Sequence, residues 1–172
     1  MTKIPDILLS HFRTNHAGET GAVYIYKGIL KISNDKDIIS FSRKHLETEQ
    51  SHLKTIEDIF PKKEISKFIF LWKILGYLTG FIPAILGNSF IYATIYAVES
   101  FVEQHYQAQI KMIVNQKKFY KTQNLIKQLM HDEIEHKKEA LTKIKNLSIF
   151  HKIWMNIVTV GSIVAVRVSK LI

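Results

Sequence analysis

Apolar residues recur at the spacing of an α-helix along almost the whole chain. This periodicity predicts six helices, at residues 4–32, 37–60, 68–86, 89–115, 121–145 and 148–172. Residues that cap or break helices separate them, among them Asp35, Pro61 and Gly87. The pattern therefore predicts an all-α fold.

One part of this pattern, Phe68–Val98, contains little that is polar beyond Lys73, Asn88 and some hydroxyl groups. Its length suggests a transmembrane span, but a single crossing would place the two halves of the chain on opposite sides of a bilayer. We therefore expect either a hairpin that dips into one leaflet or a packed core with a membrane-facing stripe. Four residues that weaken helices predict an irregular interfacial element: Gly76, Gly80, Pro83 and Gly87.

Two motifs of the form Glu-x-x-His occur in the chain, at residues 49–52 and 133–136. A Glu and a His three positions apart on a helix project from one face toward one point. One such pair is weak evidence. Each pair here, however, is preceded by a further glutamate on an earlier stretch with the apolar periodicity of a helix. The duplicated set consists of Glu19, Glu49 and His52 in the first half and Glu99, Glu133 and His136 in the second.

Four carboxylates and two imidazoles form a ligand set for two divalent metal ions, with the oxygen-rich character that suits iron or manganese better than zinc. Two helices that each give one Glu, and two that each give Glu-x-x-His, build the site of ferritin-like di-iron bundles. Without cations, such a carboxylate cluster would repel itself. We expect a ferritin-like four-helix bundle with additional apolar membrane-facing helices, in one domain over residues 1–172.

The surroundings of these residues leave two choices open. Glu103 lies one turn after Glu99, and spacing alone does not decide which of the two is a ligand. Gly18 and Gly21 flank Glu19 and either admit a flat ligand or relieve crowding between helices.

Near the second Glu-x-x-His motif, Asp132 precedes Glu133 and reaches the same helix face as His136. We expect the Asp132 carboxylate to accept a hydrogen bond from the His136 imidazole.

The formal charge of +9 calls for an anionic partner, either a nucleic acid or a membrane surface, unless it only keeps the protein in solution. Basic residues border the apolar segments, which favours a membrane surface and no nucleic acid. They are Lys62, Lys63, Lys67, Lys73, Arg167 and Lys170. The absence of cysteine excludes disulfides, thiolate nucleophiles and iron–sulfur clusters. The N-terminus lacks a secretory pattern, so we expect a protein that works where it is made.

Several motifs together resemble the demethoxyubiquinone hydroxylases of ubiquinone biosynthesis, and the similarity spans nearly the whole chain. The motifs are Asn15-His16-Ala17-Gly18-Glu19, the pair Glu49 and His52, Leu71-Trp72, Ala97-Val98-Glu99, His105-Tyr106 and Glu133-Ile134-Glu135-His136. The resemblance implies a ferritin-like di-iron monooxygenase with two iron ions per chain. Its implied substrates are O2 and a polyprenylated methoxy-methyl-benzoquinol.

The resemblance also assigns roles to individual residues. It implies that Glu19 and Glu99 are terminal ligands, with Glu99 chosen rather than Glu103. The glutamates of the two Glu-x-x-His motifs, Glu49 and Glu133, would bridge the ions. His52 and His136 would each bind one iron. His105 and Tyr106 become candidates for substrate contact or electron transfer.

The resemblance implies peripheral membrane attachment, and because no transit-peptide pattern is present we expect the cytoplasmic side of a bacterial cell membrane. Partners there would be the membrane surface and either a second copy of the chain or other ubiquinone-biosynthesis proteins.

Other functions also fit parts of the pattern. A di-iron hydroxylase of modified tRNA would use the positive charge, but would give the apolar run Phe68–Val98 no purpose. A membrane-associated lipid-binding or adaptor protein without catalysis would bind no iron. Iron storage requires a soluble cage, which the apolar segments do not suit.

Overall fold

The computed structural model describes residues 4–144 and 146–171. Within them the chain forms six α-helices and no strand, so the predicted all-α class is confirmed. The helices are α1 (Leu9–Ile32), α2 (Lys36–Glu57), α3 (Ile69–Leu86), α4 (Asn88–Ile113), α5 (Tyr120–Lys143) and α6 (Ile149–Leu171). Short 3-10 turns at Asp6–Leu8, Lys62–Glu64 and Lys117–Phe119 lie between or before them.

The helix boundaries agree closely with the periodicity. α1 begins five residues later than predicted, because Pro5 is extended and a 3-10 turn follows it. α2 begins where expected, since the Asp35 carboxylate accepts hydrogen bonds from the backbone N–H groups of Asp37 and Ile38. The predicted ends of the last two helices, Lys145 and Ile172, lie outside the described residues.

Contacts between helices give their directions. Four hydrogen-bonded pairs of side chains are enough to establish these directions: Asn15–Gln109, Glu19–Tyr106, Lys44–Glu139 and His52–Asp132. Residue numbers rise on one helix as they fall on the other, so α1 is antiparallel to α4, and α2 is antiparallel to α5. A three-residue turn makes α1 and α2 antiparallel as well. α2 and α4 therefore run in the same direction, and the connection between them must cross the length of the bundle. This up-down-down-up arrangement with one crossover is that of ferritin-like bundles.

α3 is that crossover, and it runs along α1 in close backbone contact. A Cβ atom at Gly76 would collide with the backbone of Gly21, and one at Gly80 with the backbone of Ile25. Small residues four apart permit this approach, as in membrane helix pairs. The predicted irregular element is wrong: α3 is one helix through Pro83 and ends at Gly87, whose φ is 117°. Its glycines serve helix packing.

The apolar run divides into two environments. The first half of α4 lies in the core, where Ile91, Ala93 and Ile95 are at most 1% exposed. α3 instead exposes large apolar side chains, such as Phe70 at 73%. Of the two expected arrangements, the hairpin of α3 and α4 is wrong, because α4 packs against α5 and α6 as part of the bundle. The packed core with an exposed apolar stripe agrees with the structure, while contact of that stripe with a membrane stays a prediction.

The second exposed apolar helix is α6. Both α3 and α6 are long and apolar enough to cross a membrane, and little of either is covered by the protein. Their large exposed residues include Phe70, Ile74, Leu78 and Ile85 on α3, and Phe150, Ile153, Ile157, Val160 and Val164 on α6.

Candidate metal centre and cavity

Two apolar clusters fill the bundle and leave a polar layer between them. One cluster includes Ile29, Ile38 and Ile95, and the other includes Phe12 and Ile126. The polar layer contains the six residues of the duplicated motif, and none of them is more than 5% exposed. Burial of four carboxyl groups in one layer is costly unless cations or protons compensate their charge.

The six side chains form two overlapping groups. One comprises Glu19, Glu49, His52 and Glu133, and the other comprises Glu49, Glu99, Glu133 and His136. In each group one nitrogen or oxygen atom of every residue lies within 4.8 Å of the others. Glu49 and Glu133 belong to both groups, which is the arrangement that two bridging carboxylates require.

The choice between Glu99 and Glu103 has a structural answer. Glu99 is 2% exposed and belongs to the second group. Glu103 instead forms an ion pair with Lys137 and accepts a hydrogen bond from Gln107. The structure thus brings together all six predicted residues, while their role as metal ligands stays a prediction.

In the absence of metal ions the cluster distributes protons unevenly. Burial raises the pKa values of Glu49 and Glu99 well above the usual value, and the neighbouring carboxylates raise them further. Burial also opposes ionisation of Glu133, but the close contacts and positive charges of the His136 and His52 imidazoles lower its pKa to about 2. Burial lowers the pKa values of the two histidines, but their carboxylate neighbours outweigh this and raise that of His52 to about 12 and that of His136 to about 9.

Four atoms at the centre of the cluster are buried and lack a hydrogen-bond partner: Glu19 Oε2, Glu49 Oε1, Glu133 Oε2 and His136 Nδ1. His136 Nδ1 lies 3.1 Å from both Glu49 Oε1 and Glu133 Oε2, but without the alignment of a hydrogen bond. Buried polar atoms are normally satisfied. Their convergence, and the oxygen-rich donor set, fit a pair of divalent metal ions.

The expected partner of Asp132 is wrong. Asp132 Oδ2 lies 3.1 Å from Nε2 of His52, the histidine of the other motif, because α2 runs antiparallel to α5 and places His52 beside it. The carboxylate therefore orients His52 and leaves His136 without this partner.

His136 has a different neighbour, His45, which sequence reasoning missed. The two rings are nearly perpendicular, with centroids 4.0 Å apart. Burial, and then the charge of His136, lower the pKa of His45 to about 3, so its ring is neutral. A signal was present in the sequence, since His45, Glu49 and His52 follow one helix face at intervals of four and three.

The two other predicted site residues lie beside the cluster. The hydroxyl of Tyr106 donates a hydrogen bond of 2.5 Å to Glu19 Oε1. His105 Nε2 lies 2.9 Å from Thr14 Oγ1 and 3.2 Å from Asn15 Oδ1. Burial, with smaller contributions from nearby cationic groups, lowers the pKa of His105 to about 4. Their catalytic roles remain predictions.

A cavity of about 300 Å³ leads to this cluster from the side of α3 and α6. All four carboxylates of the cluster border it, and its walls are mostly apolar, with Trp72 and Leu75 from α3 and Ile157 and Val158 from α6. Nothing lies within 4 Å of a Cβ position at Gly18, which borders the cavity. Gly18 therefore leaves space for a ligand, whereas Gly21 serves the contact with α3.

Fold and site together define a ferritin-like protein whose paired carboxylate–histidine groups lie at the end of an apolar cavity. The sequence model of the family described as "Ubiquinone biosynthesis protein COQ7" matches residues 6–169. The chain belongs to this family.

Curated relatives carry hydroxylase names. A human protein named "NADPH-dependent 3-demethoxyubiquinone 3-hydroxylase, mitochondrial" is 28% identical over 162 residues, which cover 92% of this chain and 75% of the relative. A Caenorhabditis elegans protein of the same name is 33% identical over 104 residues, covering 59% of this chain and 56% of the relative. A Rhodospirillum rubrum "3-demethoxyubiquinol 3-hydroxylase" is 30% identical over 109 residues, covering 61% and 51%.

These comparisons confirm the family that the motifs predicted. They also confirm the enzyme class, a hydroxylase of ubiquinone biosynthesis.

Proposed function

We propose that this chain is a di-iron monooxygenase that hydroxylates a polyprenylated methoxy-methyl-benzoquinol, demethoxyubiquinol, at a membrane surface. One observation carries the proposal: two Glu/His groups share Glu49 and Glu133, and they lie at the inner end of an apolar cavity. The relatives named as hydroxylases of this quinone support the choice of substrate.

Two iron ions are the proposed cofactor. Glu19 and Glu99 would each hold one ion, Glu49 and Glu133 would bridge them, and His52 and His136 would complete the two positions. When bound, the iron pair supplies activation of O2, so that one oxygen atom enters the ring and the other leaves as water. Two electrons are needed for this balance, and NADPH, which the names of the animal relatives include, is the proposed source.

The protein's own part is to bind and orient the quinol ring. The apolar walls exclude water from the inner end of the cavity, which strengthens electrostatic interactions there. The open space over Gly18 admits a flat ring next to Glu19. Tyr106 fixes one oxygen of Glu19 by its hydrogen bond, so that the other oxygen, Oε2, is directed at the metal position.

His105 and Tyr106 are proposed as substrate-contacting or electron-transferring residues. Both border the cavity. The hydrogen-bonding atoms of Thr14 and Asn15 hold the ring of His105 in one orientation, and the low pKa keeps that ring neutral near pH 7.

Membrane attachment follows from the surface of α3 and α6. Both helices border the cavity and expose large apolar side chains, so a substrate with a polyprenyl tail can enter from the hydrocarbon layer. Lysines 62, 63, 67 and 73 lie beside this surface and favour anionic lipids. We propose peripheral attachment to the cytoplasmic face of a bacterial membrane and no role for nucleic acid.

The experiment that tests this function uses protein loaded with ferrous iron in the absence of oxygen, and a short-chain demethoxyubiquinol in anionic vesicles. NADPH and 18O2 then start the reaction, and mass spectrometry follows the quinone. We expect the product to gain one 18O atom with wild-type protein and with Glu135→Gln, a solvent-exposed neighbour. Glu133→Gln should give none. A wild-type protein with two bound irons and no labelled product would contradict the proposal.

A further inference from the structure

The two histidines of the metal site have different neighbours on the side away from the carboxylates. His52 faces the carboxylate of Asp132, with 3.1 Å between Nε2 and Oδ2. His136 faces the ring of His45, with 4.0 Å between ring centroids and 85° between ring planes. One histidine thus has a carboxylate neighbour and the other an imidazole ring.

The difference arises from the sequence of the two motifs. Asp132 directly precedes Glu133, but the corresponding residue before Glu49 is Thr48. The hydroxyl of Thr48 donates a hydrogen bond to the backbone carbonyl of Lys44 and carries no charge. The duplicated site therefore lacks a second carboxylate at this place.

His45 is held against His136 by packing. It is 1% exposed, and its ring stacks on Tyr26 at 5.7 Å and meets Phe41 at 4.3 Å. Neither ring nitrogen has a hydrogen bond of good geometry, although Glu139 Oε2 lies 3.2 Å from Nε2. A buried histidine without polar partners is costly, so its position calls for a role.

We propose that His45 is a positioning residue for His136, and that the metal position of His136, which has no carboxylate in place of Asp132, is weaker than that of His52. This inference rests on the proposed di-iron site. A carboxylate next to a coordinating imidazole raises its basicity and fixes its orientation. The ring of His45 fixes orientation by contact but adds no negative charge. The two ions therefore bind in two distinguishable steps.

The test is an anaerobic ferrous titration of wild type and three variants, followed by Mössbauer spectra of the 57Fe-charged proteins. Wild type should bind two ions with different affinities and show two quadrupole doublets. His45→Leu should weaken only the second step, by about tenfold, and change only one doublet. Asp132→Asn should weaken the first step and change the other doublet. His45→Gln, which keeps a side chain of similar length but removes the ring, should shift the same doublet with a smaller loss of affinity.

Several outcomes would overturn the inference. One is equal affinity of the wild type for the two ions, and another is an equal change in both binding steps or both doublets with His45→Leu. A third is unchanged iron binding in His45→Leu while Asp132→Asn alters it. Unfolding curves of the metal-free proteins show whether a variant has only lost its fold. If His45→Leu loses iron binding because it unfolds, the folded His45→Gln variant decides the question. A shift of the doublet assigned to His136 in this variant, even at native affinity, supports the proposal. An unshifted doublet there counts against it. A wild type that binds no iron would contradict the proposed function instead.

Discussion

The interior of the four-helix bundle and the outer faces of α3 and α6 depart from the usual distribution of residues in opposite ways. The interior buries four carboxyl groups and two imidazoles in one layer. The outer faces expose side chains such as Phe70 and Phe150, at 73% and 69%. Soluble proteins usually bury the second kind of residue and expose the first.

The difference teaches that each region is completed by something other than the chain. Charged groups inside become favourable when cations neutralise them, and apolar groups outside become favourable against hydrocarbon. The cavity joins the two regions, since it runs from α3 and α6 to the carboxylates. A substrate that is apolar at one end and reactive at the other fits such a path.

The largest expected effect comes from removing the carboxylate of Glu133, which belongs to both Glu/His groups. Glu133→Gln keeps the shape of the side chain but removes a ligand from each group, so we expect loss of both metal ions and a fall in activity of at least about 1,000-fold. Metal analysis and turnover measurements check this. Glu135→Gln is the control, because Glu135 is exposed and forms an ion pair with Lys138 at the surface. Full metal content in Glu133→Gln would show that metal ions do not compensate the buried carboxylates, and would contradict the comparison between the interior and the outer faces.

The second prediction concerns pH. In the metal-free protein the raised pKa values keep His52 and His136 protonated near pH 7, and metal binding requires their neutral forms. Metal binding therefore releases at least two protons, and the combined affinity for two ions rises at least about 100-fold for each unit of increasing pH near neutrality. Calorimetry in buffers of different ionisation enthalpy counts the protons. Release of less than one proton would show that the buried histidines are neutral before metal binds.

A smaller effect is expected at the outer surface. Phe70→Glu replaces an exposed aromatic ring on α3 with a charge, and should weaken binding to anionic vesicles by about 2 kcal/mol. Vesicle co-sedimentation measures it, and iron binding should be retained. Leu141→Glu on α5 is the matched control, because Leu141 is 51% exposed and belongs to neither α3 nor α6. Equal losses of vesicle binding in both variants would mean that the exposed face of α3 is not a specific membrane-binding surface.

The smallest effect is expected where α3 joins the bundle. Gly76→Ala places a methyl group against the backbone of Gly21, and should lower the free energy of unfolding by about 1–2 kcal/mol. Gly161→Ala on α6 is the control, since nothing lies within 4 Å of its Cβ position. The control should be neutral or stabilising, because alanine favours helix. Denaturant unfolding compares them, and a neutral Gly76→Ala would show that the two helices can separate without cost.

The sequence was sufficient to predict the six cluster residues because helix periodicity places Glu and His three apart on one face, whatever the tertiary structure. Family motifs then chose Glu99 over Glu103, which spacing could not. The partly buried Glu103 pairs with Lys137 on α5, a partner that depends on how α4 and α5 pack.

Relations between helices could not be predicted in the same way. Asp132 contacts His52 because α2 and α5 are antiparallel, and that direction follows only from the crossover. Hydropathy likewise treated α3 and the start of α4 as one run. Their separation into an outer helix and a core helix depends on the neighbours that α4 meets, which composition does not record.

Arg13, near the start of α1, joins three distant parts of the chain. Its guanidinium donates hydrogen bonds to the backbone carbonyl and carboxylate of Glu64 and to the carbonyl of Lys170, a separation of 157 residues along the sequence. A contact between such distant residues closes a long loop, and folded helices between them shorten the loop that must be closed. We therefore expect the end of α6 to dock late in folding. Its amides should be among the last to gain protection from hydrogen exchange during refolding.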